Sequence, residues 1–197
     1  KQRHTQVLEI EWQARHELQR QLYEEVTEYV RNGYNRAMSE RKNYIGFLMI
    51  LFQRLVSSST TAIIDAMDRR LHALQHQADQ LHSGNFAELV DADAEESLAD
   101  AITMLSTNIK REISELERLL ALARQAHIQG MDAKEEALVD LLDKLRRRDP
   151  DAKIILFTEF VATQEAIRNL AEYNGIPTTL INGSMGLGQR NASLAAF

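Results

Sequence analysis

The stretch 153–197 constrains the fold most, because its hydrophobic pattern changes from strand-like to helical and back. Ile154–Phe157 is apolar at every residue, which is typical of a strand covered on both faces in a parallel sheet. Apolar residues then recur at spacings of three and four, and Gly175 stands where that helix should end. Thr178–Ile181 is a second β-branched run, and another helical segment follows it. This order predicts a parallel βαβ unit with a right-handed crossover.

The candidate site residues follow from this predicted sheet. Ligands of open α/β sheets bind at the carboxyl ends of the strands, and the residues there are Thr158, Glu159, Gly183 and Ser184. Amides near Gly183 and Ser184 should lie at the start of the next helix, where the dipole favours a phosphate, and Arg190 can add a charge-assisted hydrogen bond. The alternative is that Thr158 and Ser184 only satisfy local turn and cap groups.

The same stretch resembles a known family. KIILFTEF (153–160) and INGSMGLGQRNASLAAF (181–197) are similar to the opening of the second RecA-like domain of a superfamily 2 helicase, and more narrowly to a Swi/Snf-type ATPase of the bacterial, RapA-like branch. The similarity extends upstream through three weaker pieces: LYEEVTEYVRNGYNRA (22–37), IGFLMILFQRLVSSSTTAI (45–63) and MDAKEEALVDLLDKLRRRDPDAK (131–153). It covers most of the chain except roughly residues 74–129.

The resemblance implies roles for the candidate site residues. Thr158 and Glu159 correspond to the end of helicase motif IV. The turn 183–185 and the helix with Arg190 correspond to the element that touches the nucleic-acid backbone. Leu187 stands where the related DEAD-box RNA helicases usually carry Gln, which favours the Swi/Snf branch and DNA over RNA.

The resemblance also implies a function. The chain is expected to be a fragment of a cytoplasmic, ATP-dependent DNA translocase that contributes backbone contacts and inter-lobe coupling. Its full-length parent would use ATP and Mg²⁺ and bind double-stranded DNA. Arg54 and Ser57–Ser58 match a family signature that packs between the two ATPase lobes, although by themselves they indicate a helix end and a cap. The alternative is a helical protein-interaction module with no motor role.

The motifs that carry ATP chemistry are missing from the sequence. It contains neither a G-x-x-x-x-G-K-[S/T] phosphate loop nor an acidic pair that follows a strand and could hold Mg²⁺. The family's arginine-finger motif would lie beyond Phe197. The chain begins without Met on mid-domain sequence and ends after two predicted strands, so it is interpreted as an excised piece. We therefore assign no catalytic residue and no metal ligand, and expect this piece to bind no cofactor and hydrolyse no ATP.

Charge is distributed unevenly along the 197 residues, which carry a net charge of −6. Residues 1–70 hold 11 basic and 9 acidic side chains, 71–109 hold 7 acidic and no basic ones, and 110–197 hold 12 basic and 13 acidic ones. A dedicated DNA-binding domain is usually basic overall, so composition argues mildly against one. Cysteine is absent, and the longest apolar run, 45–52, is far shorter than the ~20 residues that span a bilayer.

The N-terminal segment combines a strand pattern with a helical one. Thr5–Trp12 alternates apolar and polar residues, which predicts a half-buried strand that frays or pairs with another copy of the chain. Residues 13–38 show a helical stripe. The basic residues on this helix or just after it either form a DNA-facing surface or belong to a solvated face interleaved with glutamates; they are Arg15, Arg20, Arg31, Arg36, Arg41 and Lys42.

The middle of the chain is helical by its periodicity. Residues 44–56 are apolar nearly all round, as in a helix central to a core. Heptad patterns over 64–81 and 102–123, joined by 83–95, predict a long antiparallel helical hairpin that either docks a protein partner or is an insertion. His72 and His76 stand four apart, a spacing that zinc could bridge but that two surface histidines explain better.

Asp132 and Glu135 predict a capping box at the start of a further helix, which Arg146–Arg148 should close. With the resemblance, these patterns divide the chain into the end of the first lobe and inter-lobe helices (1–58), a helical hairpin protrusion (59–130) and the incomplete start of a second RecA-like helicase C-terminal domain (131–197). The predicted fold is mostly α with a partial α/β, RecA-like C-terminal part.

Overall fold

A computed structural model describes the backbone of residues 5–39, 43–83 and 92–197, and the side chains of 5–33, 35, 49–78 and 108–197. Within these residues the regular structure is helical. A 3-10 turn at Ala14–His16 precedes seven α-helices: α1 (Glu17–Ser39), α2 (Asn43–Ser58), α3 (Thr60–Ser83), α4 (Ala92–Gln129), α5 (Ala133–Arg148), α6 (Val161–Tyr173) and α7 (Leu187–Ala196). The mostly α part of the predicted fold class is confirmed.

Helices α1 to α4 share one hydrophobic core. The predicted stripe of α1 places Leu22, Val26 and Tyr29 in it, because residues three and four apart lie on one helix face. On α2, Phe52 stacks on Tyr29 with ring centroids 5.9 Å apart. Ile50 on the same helix is 53% exposed, so the nearly all-apolar sequence of α2 is not buried all round.

The predicted antiparallel hairpin is formed by α3 and α4. Cross-links between them run in opposite directions along the two helices: Asp68 accepts from Arg124 at 2.8 Å, whereas Arg70, further along α3, donates to Glu112, which lies earlier on α4. The heptad residues fill the seam and complete the core with α1 and α2; they are Met67, Leu71, Leu74, Leu116, Leu119 and Ala123. The link 84–91 and the side chain of His82 lie outside the described residues.

The ends of α5 and α6 form as the sequence predicts. Asp132 Oδ1 accepts from Glu135 N at 2.8 Å, and Glu135 Oε2 accepts from Asp132 N at 2.9 Å, so the capping box is confirmed. Arg146–Arg148 lie in the last turn of α5, beside its negative dipole end. Gly175 has a φ of 68° and ends α6 in the left-handed conformation, which lets Ile176 N reach back across the last helical turn.

The predicted parallel βαβ unit is wrong: the described residues contain no β-strand, either at Ile154–Phe157 and Thr178–Ile181 or at Thr5–Trp12. A strand requires a neighbour that takes its backbone hydrogen bonds, and no backbone hydrogen bonds join these segments in the described residues. Phe157 is 93% exposed, so the apolar run is not covered on two faces. Ile181 is held by a side chain instead, because Gln164 Nε2 donates to its carbonyl at 3.0 Å.

The cap of α5 leads to a stability prediction. Replacing Asp132 with alanine should lower the free energy of unfolding by about 1–2 kcal/mol, because α5 loses its cap acceptor. The same carboxylate also accepts from Thr60 N at 3.4 Å, so the start of α3 loses a contact too. Urea denaturation followed by circular dichroism measures the change. A loss well below that range would show that the cap contributes little.

Glu135→Gln tests the other half of the capping box. It removes the Glu135 charge but keeps an amide oxygen that can still accept from Asp132 N. Burial, and then the Asp132 charge, raise the pKa of Glu135 above its ordinary value of 4.5. The folded state therefore favours the protonated acid, and the ionised form costs stability at neutral pH. Glu135→Gln should match or exceed the wild-type stability at pH 7, and any gain should vanish as the pH falls through the raised folded pKa to below the ordinary value.

Candidate functional site

The ends of four helices meet through polar side chains in what we call the helix junction. It joins the C-terminal end of α2 to the N-terminal ends of α3, α5 and α6. Its members are Arg54, Ser57, Ser58, Ser59, Asp132, Lys134, Glu159 and Thr163. Only Ser59 separates α2 from α3, so the chain changes direction within the junction itself.

A cluster of three hydroxyls fastens α6 to the α2–α3 turn. Thr163 Oγ1 lies 2.9 Å from Ser58 Oγ and 2.8 Å from Ser59 Oγ. Ser59 Oγ also accepts from Ala62 N at 3.1 Å, which caps the first turn of α3. Ser59 and Thr163 are both buried. Buried hydroxyls that satisfy one another hold a fixed geometry, because separating them would leave unpaired polar groups in the interior.

Two cations lie at the C-terminal end of α2. The Arg54 guanidinium pairs with the Glu159 carboxylate, and the two side chains are 56% and 54% exposed. Lys134 Nζ donates to the carbonyl of Ser57. Positive charge is favourable there because the last carbonyls of a helix carry partial negative charge. The ionic part of the junction is therefore accessible to solvent, whereas its hydroxyl part is buried.

The N-terminal segment adds one wall beside the junction. A small cavity of about 180 Å³ lies between Trp12, Tyr23 and the Ser57–Ser59 turn. The two aromatic rings are tilted, with centroids 6.4 Å apart. Ala133 N donates to Gln19 Oε1 at 2.9 Å, which ties the start of α5 to α1. The junction thus contacts the helical bundle (α1 to α4) on one side and the C-terminal segment (residues 153–197) on the other.

Three of the five predicted site residues come together in the turn before α7. Ser184 Oγ donates to Asn182 Oδ1 at 2.7 Å. Arg190 Nη2 donates to the carbonyls of Asn182 and Gly183 at 3.3 and 3.2 Å. Ser184 therefore satisfies a turn group, as the plainer alternative predicted, and Arg190 braces that turn.

The other two predicted site residues, Thr158 and Glu159, lie just before α6, next to the helix junction. Glu159 pairs with Arg54, and half-buried Thr158 precedes it in the chain. Gln164 in the first turn of α6 connects this region to the Ser184 turn: it donates to Ile181 O at 3.0 Å and accepts from Asn182 Nδ2 at 3.1 Å. Sequence reasoning missed this bridge, because a glutamine on a helix gives no signal of its distant partner.

The start of α7 differs from the prediction. The helix begins at Leu187, and Gln189 Oε1 caps it by accepting from Gly186 N at 3.0 Å. The amides of Gly183 and Ser184 therefore lie in the turn before the helix and not at its first turn. The helix dipole acts on the amides of the first helical residues, so its contribution to any anion bound at Ser184 is smaller than expected.

The basic residues of the N-terminal region are paired with carboxylates wherever their side chains are described. Arg15 forms a bidentate pair with Glu136, and its hydrogen bonds hold the pKa of that carboxyl below the ordinary value. Arg20 and Arg31 pair with glutamates of α1 itself. The interleaved, solvated face therefore fits Arg20 and Arg31 better than a DNA-facing surface, whereas Arg15 ties the 3-10 turn before α1 to α5. Arg36, Arg41 and Lys42 have side chains outside the described part of the chain.

Two further findings concern metal binding and membrane crossing. His72 and His76 are exposed on α3. Across the described residues, no group of three or more His, Cys, Asp or Glu side chains could hold a metal ion. None of the helices in the described ranges has both the length and the apolar character that crossing a bilayer requires.

Three comparisons with known proteins complete the description of the site. Neither a protein-family model, nor a curated protein, nor a solved structure matches the chain.

Proposed function

We propose that the chain is part of a cytoplasmic, ATP-dependent translocase of double-stranded DNA of the Swi/Snf type. In this proposal the helix junction couples the helical bundle to the segment that contacts the nucleic-acid backbone. The observation that carries it is that separate sequence pieces of the resemblance meet at the junction. ATP bound elsewhere in the full-length parent would supply the driving energy, and we derive no step through it.

The meeting of these pieces supports a shared role. Arg54, from the piece 45–63, contacts Glu159 at a sequence separation of 105 residues. Lys134, from the piece 131–153, contacts Ser57 at a separation of 77 residues. Helix caps need only local partners, so caps alone do not explain why three distant pieces are tied together. A coupling element does require such ties, because movement of the bundle must reach the C-terminal segment.

The residues after Ile181 suit contact with a nucleic-acid backbone. Ser184 is exposed, and its hydroxyl and amide both use Asn182 Oδ1 as an internal acceptor that a phosphate oxygen could replace. Arg190 supplies positive charge against the same turn. Contacts of this kind position a duplex without reading its sequence. The turn 182–184 and Arg190 would therefore bind DNA of any sequence.

Arg190→Gln tests the proposal. The purified chain is expected to bind a fluorescein-labelled, random-sequence DNA duplex at low salt, as measured by fluorescence anisotropy. The variant should weaken binding about tenfold whatever the sequence, and should reduce the magnitude of the salt slope by about one, since one phosphate contact is lost.

Arg168→Gln is the control for this experiment. Arg168 is an arginine of α6 that pairs with Glu165 on its own helix. The Arg168→Gln variant should therefore bind the duplex with wild-type affinity. Circular dichroism checks that both variants keep their helical content. No binding by the wild-type chain at low salt, or equal losses in the two variants, would contradict the proposal.

A second candidate function, a helical protein-interaction module, is favoured by a groove of about 900 Å³ between α3 and α6. Alanines line its floor on both helices: Ala62, Ala66, Ala162 and Ala166. Asp65 and Glu165 also line it, and each is paired with an arginine of its own helix. This shape fits an amphipathic partner helix with bulky apolar residues. Ala166→Trp would fill the groove, and unchanged duplex binding by that variant would separate the groove from the DNA-contacting surface.

A further inference from the structure

Glu159 occupies an unexpected place among residues predicted to contact a nucleic-acid backbone. A carboxylate repels phosphate, yet Glu159 and the preceding Thr158 are both candidate site residues, which the resemblance assigns to the end of helicase motif IV. The structure gives Glu159 a partner in Arg54 at the end of α2. Both side chains remain about half exposed, so solvent and ions reach the pair.

We infer that Arg54 is a further phosphate-binding residue and that Glu159 is its internal competitor. This inference rests on the proposed function and adds a residue and a form of regulation to the same surface. In the free protein the Glu159 carboxylate occupies the guanidinium. A DNA phosphate that approaches Thr158 meets Arg54 and displaces the carboxylate from it.

The surroundings of Arg54 suit a phosphate. A guanidinium can bind carboxylate or phosphate oxygens through two parallel N–H donors, so the two anions compete for one site. Lys134 provides a second cation on the neighbouring Ser57 carbonyl. Ser57 Oγ donates to the Arg54 carbonyl at 2.9 Å, which fixes the helix end that carries the guanidinium.

The exchange would change which groups the junction joins. With Glu159 on Arg54, α2 is tied directly to the segment before α6. With a phosphate on Arg54, α2 is tied to the DNA, while the contacts of Thr163 with half-buried Ser58 and buried Ser59 still hold α6 in place. The ionic contact can therefore switch partners without opening the hydroxyl cluster.

An ordinary surface ion pair is the competing explanation. Exposed pairs of this kind typically contribute about 0–1 kcal/mol to stability. Such a pair would influence the affinity for DNA only through the net charge of the protein. A carboxylate that blocks a particular guanidinium acts only while that guanidinium is present. Charge-neutralising variants of both residues, singly and together, separate the two explanations.

The experiment measures duplex binding for Glu159→Gln, Arg54→Gln and the double variant by fluorescence anisotropy over a range of salt. Glu159→Gln should tighten binding about three- to tenfold and steepen the salt slope by about one, because one more phosphate is neutralised. Arg54→Gln should weaken binding, and adding Glu159→Gln to it should restore nothing. Glu165→Gln, which removes one of the two carboxylates that pair with Arg168, should change affinity less than twofold.

Two results would overturn the inference while leaving the proposed function intact. One is that Glu159→Gln tightens binding no more than Glu165→Gln. The other is that its gain persists in the Arg54→Gln background, which would show a general charge effect. Failure of the wild-type chain and of every variant to bind duplex DNA would instead refute the proposed function, and this inference with it.

Discussion

Glu112→Ala is expected to lower the free energy of unfolding by about 3 kcal/mol, the lower end of the range for breaking a buried ion pair. Glu112 Oε1 accepts from Arg70 Nε at 3.0 Å, from Arg70 Nη2 at 2.8 Å and from the Tyr29 hydroxyl at 3.1 Å. The side chains of Arg70 and Glu112 are only 19% and 18% exposed. Because both side chains keep some exposure to solvent, we expect a loss of stability at the lower end of the range for buried ion pairs.

The cause of this loss is the group that the substitution leaves behind. Tyr29 is almost fully buried, and burial together with the Glu112 charge raises the pKa of Tyr29 far above its ordinary value. The tyrosine therefore stays protonated and needs an acceptor. Without Glu112, a buried hydroxyl and a half-buried guanidinium lose their partner, which costs more than the pair contributes when intact.

Urea denaturation of three variants checks this prediction. Glu117→Ala, at an exposed position on the same helix, should change stability by less than about 0.5 kcal/mol. Tyr29→Phe should cost about 1 kcal/mol, since it removes one hydrogen bond. Combining Tyr29→Phe with Glu112→Ala should cost less than the sum of the two. A Glu112→Ala variant as stable as Glu117→Ala would mean that the network does not hold the bundle together.

Phe52→Ala is expected to cost about 3–5 kcal/mol, because it leaves a cavity in a core that relaxes only in part. Phe52 is 1% exposed, and its ring stacks on Tyr29 at an interplanar angle of 28°. The substitution therefore removes both buried apolar surface and an aromatic contact between α1 and α2. Chemical denaturation with an unchanged slope would assign the effect to stability alone.

Ile50→Ala supplies the contrast for Phe52→Ala. It lies two residues earlier on α2 and more than half of it is exposed, so its truncation should cost less than about 1 kcal/mol. Phe52→Leu should fall between the two, because it fills part of the space. Similar losses at Ile50 and Phe52 would contradict the orientation of α2.

The helices could be predicted from local signals. The stripe of α1, the heptads of α3 and α4 and the Asp132–Glu135 box all depend on spacings of three and four, which hold for any helix. Gly175 ended α6 as predicted, since a residue without Cβ adopts positive φ at little cost. These elements need only their own residues.

The strands could not be predicted in the same way. Ile154–Phe157 is an apolar run that indicates burial on two faces, but burial depends on neighbours that a local pattern does not contain. In the described residues those faces remain open. The junction was missed for a related reason. Ser59 and Thr163 lie 104 residues apart, and hydroxyls at helix ends indicate caps before they indicate a distant partner.

The single residue between α2 and α3 has a mechanical consequence. A connection of that length has no slack, so any change in the angle between the two helices must occur at Ser59. Helix α3 has 24 residues, which corresponds to a lever arm of about 36 Å at 1.5 Å per residue. A tilt of about 5° at Ser59 would therefore carry the far end of α3 through about 3 Å, a small rotation amplified by length alone.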